Sequence, residues 1–197
     1  MNKNRDRIAI LGLCLGMMIY SCSGTQKPTA SNFKDPIITL QSFKVPQFDG
    51  YYYYDNNIKP TKGEAGNHGA PLPITFLFNI QNTNPFPVEL KEFKFTVAFD
   101  NEFDIVTVNV KDPHWIPANG TNNVGASTMI TINSVRLSLL VTGGFALKAK
   151  GWSPWDALER WWKGVPEVSV PVTVKDASFT FDAGGVIKVL PFKADVS

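Results

Sequence analysis

Residues 74–120 read ITFLFNIQNTNPFPVELKEFKFTVAFDNEFDIVTVNVKDPHWIPANG. Ile74, Phe76, Phe78 and Ile80 alternate with Thr75, Asn79 and Gln81, and Leu77 is the one apolar interruption. Period two is the pattern of a strand with one buried face. No central strand accommodates the next segment, Asn82-Thr83-Asn84-Pro85-Phe86-Pro87, because each proline lacks a donor and biases the residue before it. Alternation resumes with Phe93, Phe95, Val97 and Phe99 inward and Lys94, Thr96 and Ala98 outward. Asp100-Asn101 turns the chain, Val106, Val108 and Val110 form a third strand, and Pro113 to Gly120 closes the stretch. The pattern predicts a β-meander with a proline-marked corner.

Working outward, Ile37 to Val45 reads as a strand with Ile38, Leu40 and Phe43 inward. Val124, Ala126, Thr128, Ile130 and Ile132 alternate in the same way, as do Val168, Val170, Val172 and Val174. Phe179 and Phe181 mark one further strand and Val186 to Val196 a last one. Asp182-Ala183-Gly184-Gly185 is the hairpin turn between them. The predicted helix spans Ser153 to Lys163, with Ser153 as N-cap, Pro154 at the first position, Asp156 in the first turn and Gly164 as stop. Ser134 to Lys150 stays ambiguous: Leu137, Leu140 and Val141 suit a helix, whereas Thr142-Gly143-Gly144 argues against a long one. The fold class expected is all-β, an antiparallel β-sandwich of about seven strands with one short helix.

The first 22 residues have a different character. Lys3, Arg5 and Arg7 precede an apolar run, Ile8 to Tyr20, which is too short to span a bilayer as a stable helix. Small Ser21 then precedes Cys22. This resembles a bacterial lipoprotein signal, cut before a cysteine that carries acyl chains such as palmitate. An ordinary secretory signal or an uncleaved anchor are the alternatives. The expected organisation is a signal over 1–21, a lipidated tether over 22–36 and a folded domain over 37–197. The lipoprotein reading implies anchorage to the cell envelope, and the absence of Asp after Cys22 favours the outer membrane. The only other cysteine, Cys14, falls within the signal, so the folded domain holds no disulfide. Removing 1–21 takes away three cations and one anion and leaves the charges balanced, which speaks against nucleic acid as a partner.

A strand ending in Asn82-x-Asn84-Pro85-Phe86, an alternating strand ending in Asp100-Asn101, and a later Ile116-Pro117-Ala118-Asn119-Gly120 resemble the late embryogenesis abundant (LEA) type 2 family. That family includes the WHy (water stress and hypersensitive response) domain. The resemblance covers about residues 37–197. It implies an immunoglobulin-like or fibronectin-like sandwich and a non-enzymatic stress response such as desiccation tolerance, with client proteins or lipids as partners. The short motif has a structural explanation as well: asparagine side chains mimic backbone turns and tolerate left-handed conformations.

Chemistry-bearing patterns are sparse. His68 and His114 do not stand at metal-ligand spacing, so no metal or other cofactor is expected. Nucleophile, zinc and P-loop motifs do not occur, and an enzyme is not expected. Two aromatic clusters remain as candidate contact surfaces. Tyr51, Tyr52, Tyr53 and Tyr54 sit in a long irregular insertion over 47–73, and cover either a sandwich edge or a partner. Trp152, Trp155, Trp161 and Trp162 recur along the predicted helix, which either caps the sandwich or lies at a membrane surface. Besides water-stress protection, the sequence leaves open a lipid- or envelope-ligand-binding module and an accessory scaffold of a surface complex.

Overall fold

The computed structural model describes residues 26–46, 48 and 71–196. Cys22 and Tyr51 to Tyr54 lie outside them. Eight strands run in the order β1 (Ile37–Lys44), β2 (Leu72–Asn82), β3 (Val88–Phe99), β4 (Phe103–Val110), β5 (His114–Ile116), β6 (Gly120–Ile130), β7 (Val172–Ala183) and β8 (Val186–Val196). One sheet has the order β1-β2-β6 and the other β4-β3-β7-β8, with short β5 continuing beside β3 where β4 has ended. All pairings are antiparallel. The result is a two-sheet, sandwich-like architecture.

Alternation explains the two layers. In β2 the even-numbered residues from Leu72 to Asn82 are all buried. Its rings meet those of the facing sheet: Phe78 lies 5.6 Å from Phe93 and 5.3 Å from Phe179, and Phe76 lies 5.2 Å from Phe95. Phe93 and Phe179 stack at 4.9 Å across the β3–β7 pairing. These mostly edge-to-face contacts add to the transfer free energy of burying so many large rings. In β1, Ile38, Leu40 and Phe43 all pack on the core although their parity changes. A register shift between Leu40 and Ser42 inserts one residue and returns Phe43 to the inner face.

Four readings of the sequence need correction. Ala98 is buried; it sits in a central strand between β4 and β7, beside a register shift that re-aims the side chains. In β4 that same shift makes Phe103, Ile105 and Val108 the buried set, with Val106 and Val110 only half-buried. Val168 and Val170 precede the strand. Val168 takes a left-handed φ of 52°, and Ser169 N–H bonds the Gly164 carbonyl while Val168 N–H bonds that of Val165, a Schellman-type stop. The fourth concerns the helices. Ile132–Ser138 (α1), a π-helical segment Leu139–Gly143, and Gly144–Lys150 (α2) form one continuous helical run. Pro154–Gly164 (α3) is a second helix, where one short helix was expected.

Gly143 explains why the glycine pair does not break the first helix. A Cβ there would stand 2.8 Å from Leu139 Cδ2, so the bare glycine makes room for the buried Leu139 side chain, and at 3.4 Å it would be in ordinary contact with Phe103 Cδ1 of β4. The π segment absorbs one residue. The buried stripe then runs through Ile132, Val135, Leu139, Gly143 and Leu147, and Leu137, Leu140 and Val141 face outward.

Candidate functional site

The two ends of the sandwich differ in construction. At one end the chain crosses between sheets twice, from β2 to β3 through residues 83–87 and from β5 to β6 through 117–119. Asn82 and Asn84, both fully buried, join these crossings. Asn82 Nδ2 donates to the carbonyls of Phe86 at 2.8 Å and Pro117 at 3.0 Å. Asn82 Oδ1 accepts from the Asn84 backbone N–H at 2.9 Å and from Asn84 Nδ2 at 2.8 Å. Asn84 then reaches the N-terminal segment: its Oδ1 accepts from Lys34 N–H at 2.7 Å and its Nδ2 donates to the Lys34 carbonyl at 2.9 Å. Its own carbonyl accepts from Asn119 N–H at 2.9 Å.

The remaining motif residues complete this corner. Phe86 is buried against Phe33, with ring centroids 6.2 Å apart. Asn119 adopts φ 50° and Gly120 N–H bonds the Pro117 carbonyl, which closes a tight turn. A Cβ on Gly120 would meet Pro117 Cγ at 2.7 Å. No buried side-chain polar atom among the described residues lacks a partner, so the amides of Asn82 and Asn84 are satisfied within the corner itself. The burial of Phe33 also shows that packing begins before Ile37.

The opposite end is capped by helix. Ser153 and Asp156 form a capping box at the start of α3, with Pro154 in the first turn. Trp161 and Trp162 are fully buried, so as contact residues they are corrected: an apolar face turned into the core cannot meet a partner. Trp161 sits edge-on to Phe99 at 5.6 Å and tilted against Phe103 at 5.1 Å. Trp152 and Trp155 are half-buried beside them.

One charged cluster pins this cap. Asp100 lies in the β3–β4 turn, where it and Asn101 both take left-handed φ, 49° and 60°. Its carboxylate accepts from Arg160 Nε at 3.1 Å, Arg160 Nη2 at 2.9 Å and Trp161 Nε1 at 2.8 Å. Burial pushes the Asp100 carboxyl up. The hydrogen bonds from Arg160 and Trp161 and the charges of Arg160 and Lys150 outweigh that and hold it below the usual carboxylate range. The same bond to Asp100 raises Arg160, against a smaller opposing effect of burial. Sequence reasoning treated Asp100 only as a turn residue, since its partners lie about sixty positions away.

A groove of about 500 Å³ runs beside α3, lined by Trp152, Asp156, Arg160, Lys163, Gly164, Ser169 and Val170. Among the described residues, no group of three or more His, Cys, Asp or Glu is placed to hold a metal. His114 is half-buried in β5, and its backbone pairs with Leu90. No described helix is long and apolar enough to cross a membrane.

No family model matches the sequence, and no curated protein matches it significantly. Among solved structures, the chain is similar to a protein from Archaeoglobus fulgidus, with a TM-score of 0.42 and 11% identity over 80% of this chain and 94% of that one. It is also similar to a Northeast Structural Genomics Consortium target, with a TM-score of 0.38 and 8% identity over 80% of this chain and 84% of that one. Neither protein is described with an activity.

Proposed function

We propose that this chain is a non-enzymatic envelope lipoprotein, anchored through Cys22, whose domain has the immunoglobulin-like arrangement of the LEA type 2 family. Its role is to protect proteins or membranes during water stress. The observation that carries this reading is the outer face of the β1-β2-β6 sheet. Thr39, Asn79 and Asn123 form one row across the three strands and Thr75 and Ser127 another. Asn79 Nδ2 donates to Asn123 Oδ1 at 2.8 Å, and the Thr75 and Ser127 hydroxyls lie 2.8 Å apart. Lys44 pairs with Thr75 at the edge of the second row and is the one cation of the two rows, whose other side chains hold hydroxyl and amide groups in a fixed array. As water is withdrawn, those groups take over hydrogen bonds that a drying protein or headgroup surface loses. Contact of this kind is reversible and of low specificity.

The test is to dry and rehydrate a labile enzyme with the chain present, against an inert β-sandwich of equal mass as control. Enzyme activity retained clearly above the control is expected, and retention equal to it refutes the protective role. Replacing Thr75, Asn79 and Ser127 together with Lys should remove most of the protection.

The groove beside α3 favours one other reading, a module that binds a small envelope ligand between Arg160, Lys163 and Trp152. Native mass spectrometry of the purified chain decides it: a retained ligand displaced by Arg160→Ala supports binding, and an unliganded mass speaks against it.

A further inference from the structure

The helical run Ile132–Lys150 buries one stripe and leaves another bare. Leu137 is 64% exposed, Leu140 69%, Val141 75% and Phe145 91%. Four large apolar side chains on one outward crest are more than scattered surface residues. The charge carried on the run itself has one sign. Residues 131–155 carry Arg136, Lys148 and Lys150 and no acidic residue. The two acids beneath the helix at the start of β4 are already paired, Glu102 with Lys150 at 3.1 Å and Asp104 with Lys175 at 2.5 Å. Half-buried tryptophans lie at the base of the crest, with the Arg136 guanidinium 4.9 Å over the Trp155 ring and Lys150 Nζ 5.4 Å from that of Trp152.

We propose that this crest docks on an anionic lipid surface. Leu137, Leu140, Val141 and Phe145 enter the headgroup layer, and Arg136 and Lys148 meet lipid phosphates. An apolar helix face flanked by cations is the arrangement that binds such surfaces. A second copy fits worse, because a two-fold contact would bring the same cations together. The crest also stands apart from the lipid anchor. The segment leading back to Cys22 leaves at the asparagine end, where Phe33 packs on Phe86 and Pro28 lies against Gly184. The helical run starts at the other end of β6, just after Ile130. The contact is therefore not an extension of acylation, and it does not rest on the protective role.

The test uses the full chain with Cys14→Ser and Cys22→Ser and one new cysteine carrying an environment-sensitive fluorophore. Ala149→Cys places it on the exposed turn after Phe145, and Thr121→Cys places it at the asparagine end as control. Vesicles contain phosphatidylcholine alone or with an equal part of phosphatidylglycerol. Expected is a blue shift and quenching by a bilayer-embedded quencher at position 149 only, with phosphatidylglycerol present. The triple variant Leu137→Ser, Val141→Ser, Phe145→Ser should keep its circular dichroism and bind about tenfold more weakly or worse. Binding that leaves the 149 probe in water, carried by the apolar residues 8–20, overturns the proposal. So does an equal response at 121, a response that grows with protein concentration without lipid, or one that needs an acidic protein in place of vesicles.

Discussion

Asn82 donates through one amide nitrogen to carbonyls on two different sheet crossings, and its oxygen serves both donors of Asn84. If that side chain is lost, the Pro117 carbonyl keeps Gly120 N–H, but the Phe86 carbonyl and the Asn84 backbone N–H, both on buried residues, lose their Asn82 partner. Asn82→Ala should therefore cost about 3 kcal/mol, the penalty for leaving more than one buried polar group unpaired, read as a lower urea midpoint. A loss under about 1 kcal/mol would show that the corner holds without it. Val168 is the opposite case. A β-branched residue at φ 52° is strained, and it is exposed. Val168→Gly should stabilise by about 0.5–1 kcal/mol, seen as a higher Tm, because relief of strain exceeds glycine's added chain entropy.

Asp100 is the residue whose contribution depends on pH. Its folded value is depressed below 3.8, so the stability it supplies is complete above that value and lost as pH falls through the folded value. Asp100→Asn keeps the shape and the left-handed turn but removes the charge that Arg160 and Trp161 bind. It should destabilise by about 1–3 kcal/mol at neutral pH, and the gap from the parent should close in acid. Equal gaps at neutral and low pH would mean that the turn, not the charge, carries the effect.

At the scale of the element, the two helical parts are legible to different degrees. The start of α3 stands in the sequence, because Ser153, Pro154 and Asp156 are local signals, whereas its stop is made at left-handed Val168 and Gly164 is a helix residue packed on Val170. Which tryptophans it buries does not stand there, because Trp152, Trp155 and either Trp161 or Trp162 recur at spacings compatible with one face. Only the docking against Phe99 and Phe103 selects Trp161. Trp161→Ala should cost about 3–5 kcal/mol, whereas Trp155→Ala, half-buried, should cost much less. Similar losses for the two would contradict the cap. The Ile132–Lys150 run was hidden by Gly143, whose local propensity opposes helix and whose bare surface admits the Leu139 side chain. Its apolar residues also mislead, since Leu137, Leu140 and Val141 suit a helix but do not form its core stripe.

Across the whole molecule, stability rests on an aromatic interior and two tied ends. The only cysteines are Cys14 and Cys22, both outside the described residues. The melting temperature should therefore be the same with and without a thiol reductant, and a drop would reveal an intermolecular bridge. Most of the strand segments, the proline-marked corner, the Gly184-Gly185 hairpin and the start of α3 were determined by the sequence alone, because period-two burial, missing donors and capping are short-range physics. Tertiary structure alone decided the rest: the join of Asn82 and Asn84 to Lys34 and Pro117, the pinning of the helical cap by Asp100, and the outward crest of Leu137 to Phe145. Those depend on which residues meet across tens of positions, and a buried polar group or a glycine is favourable only once its distant partner is in place.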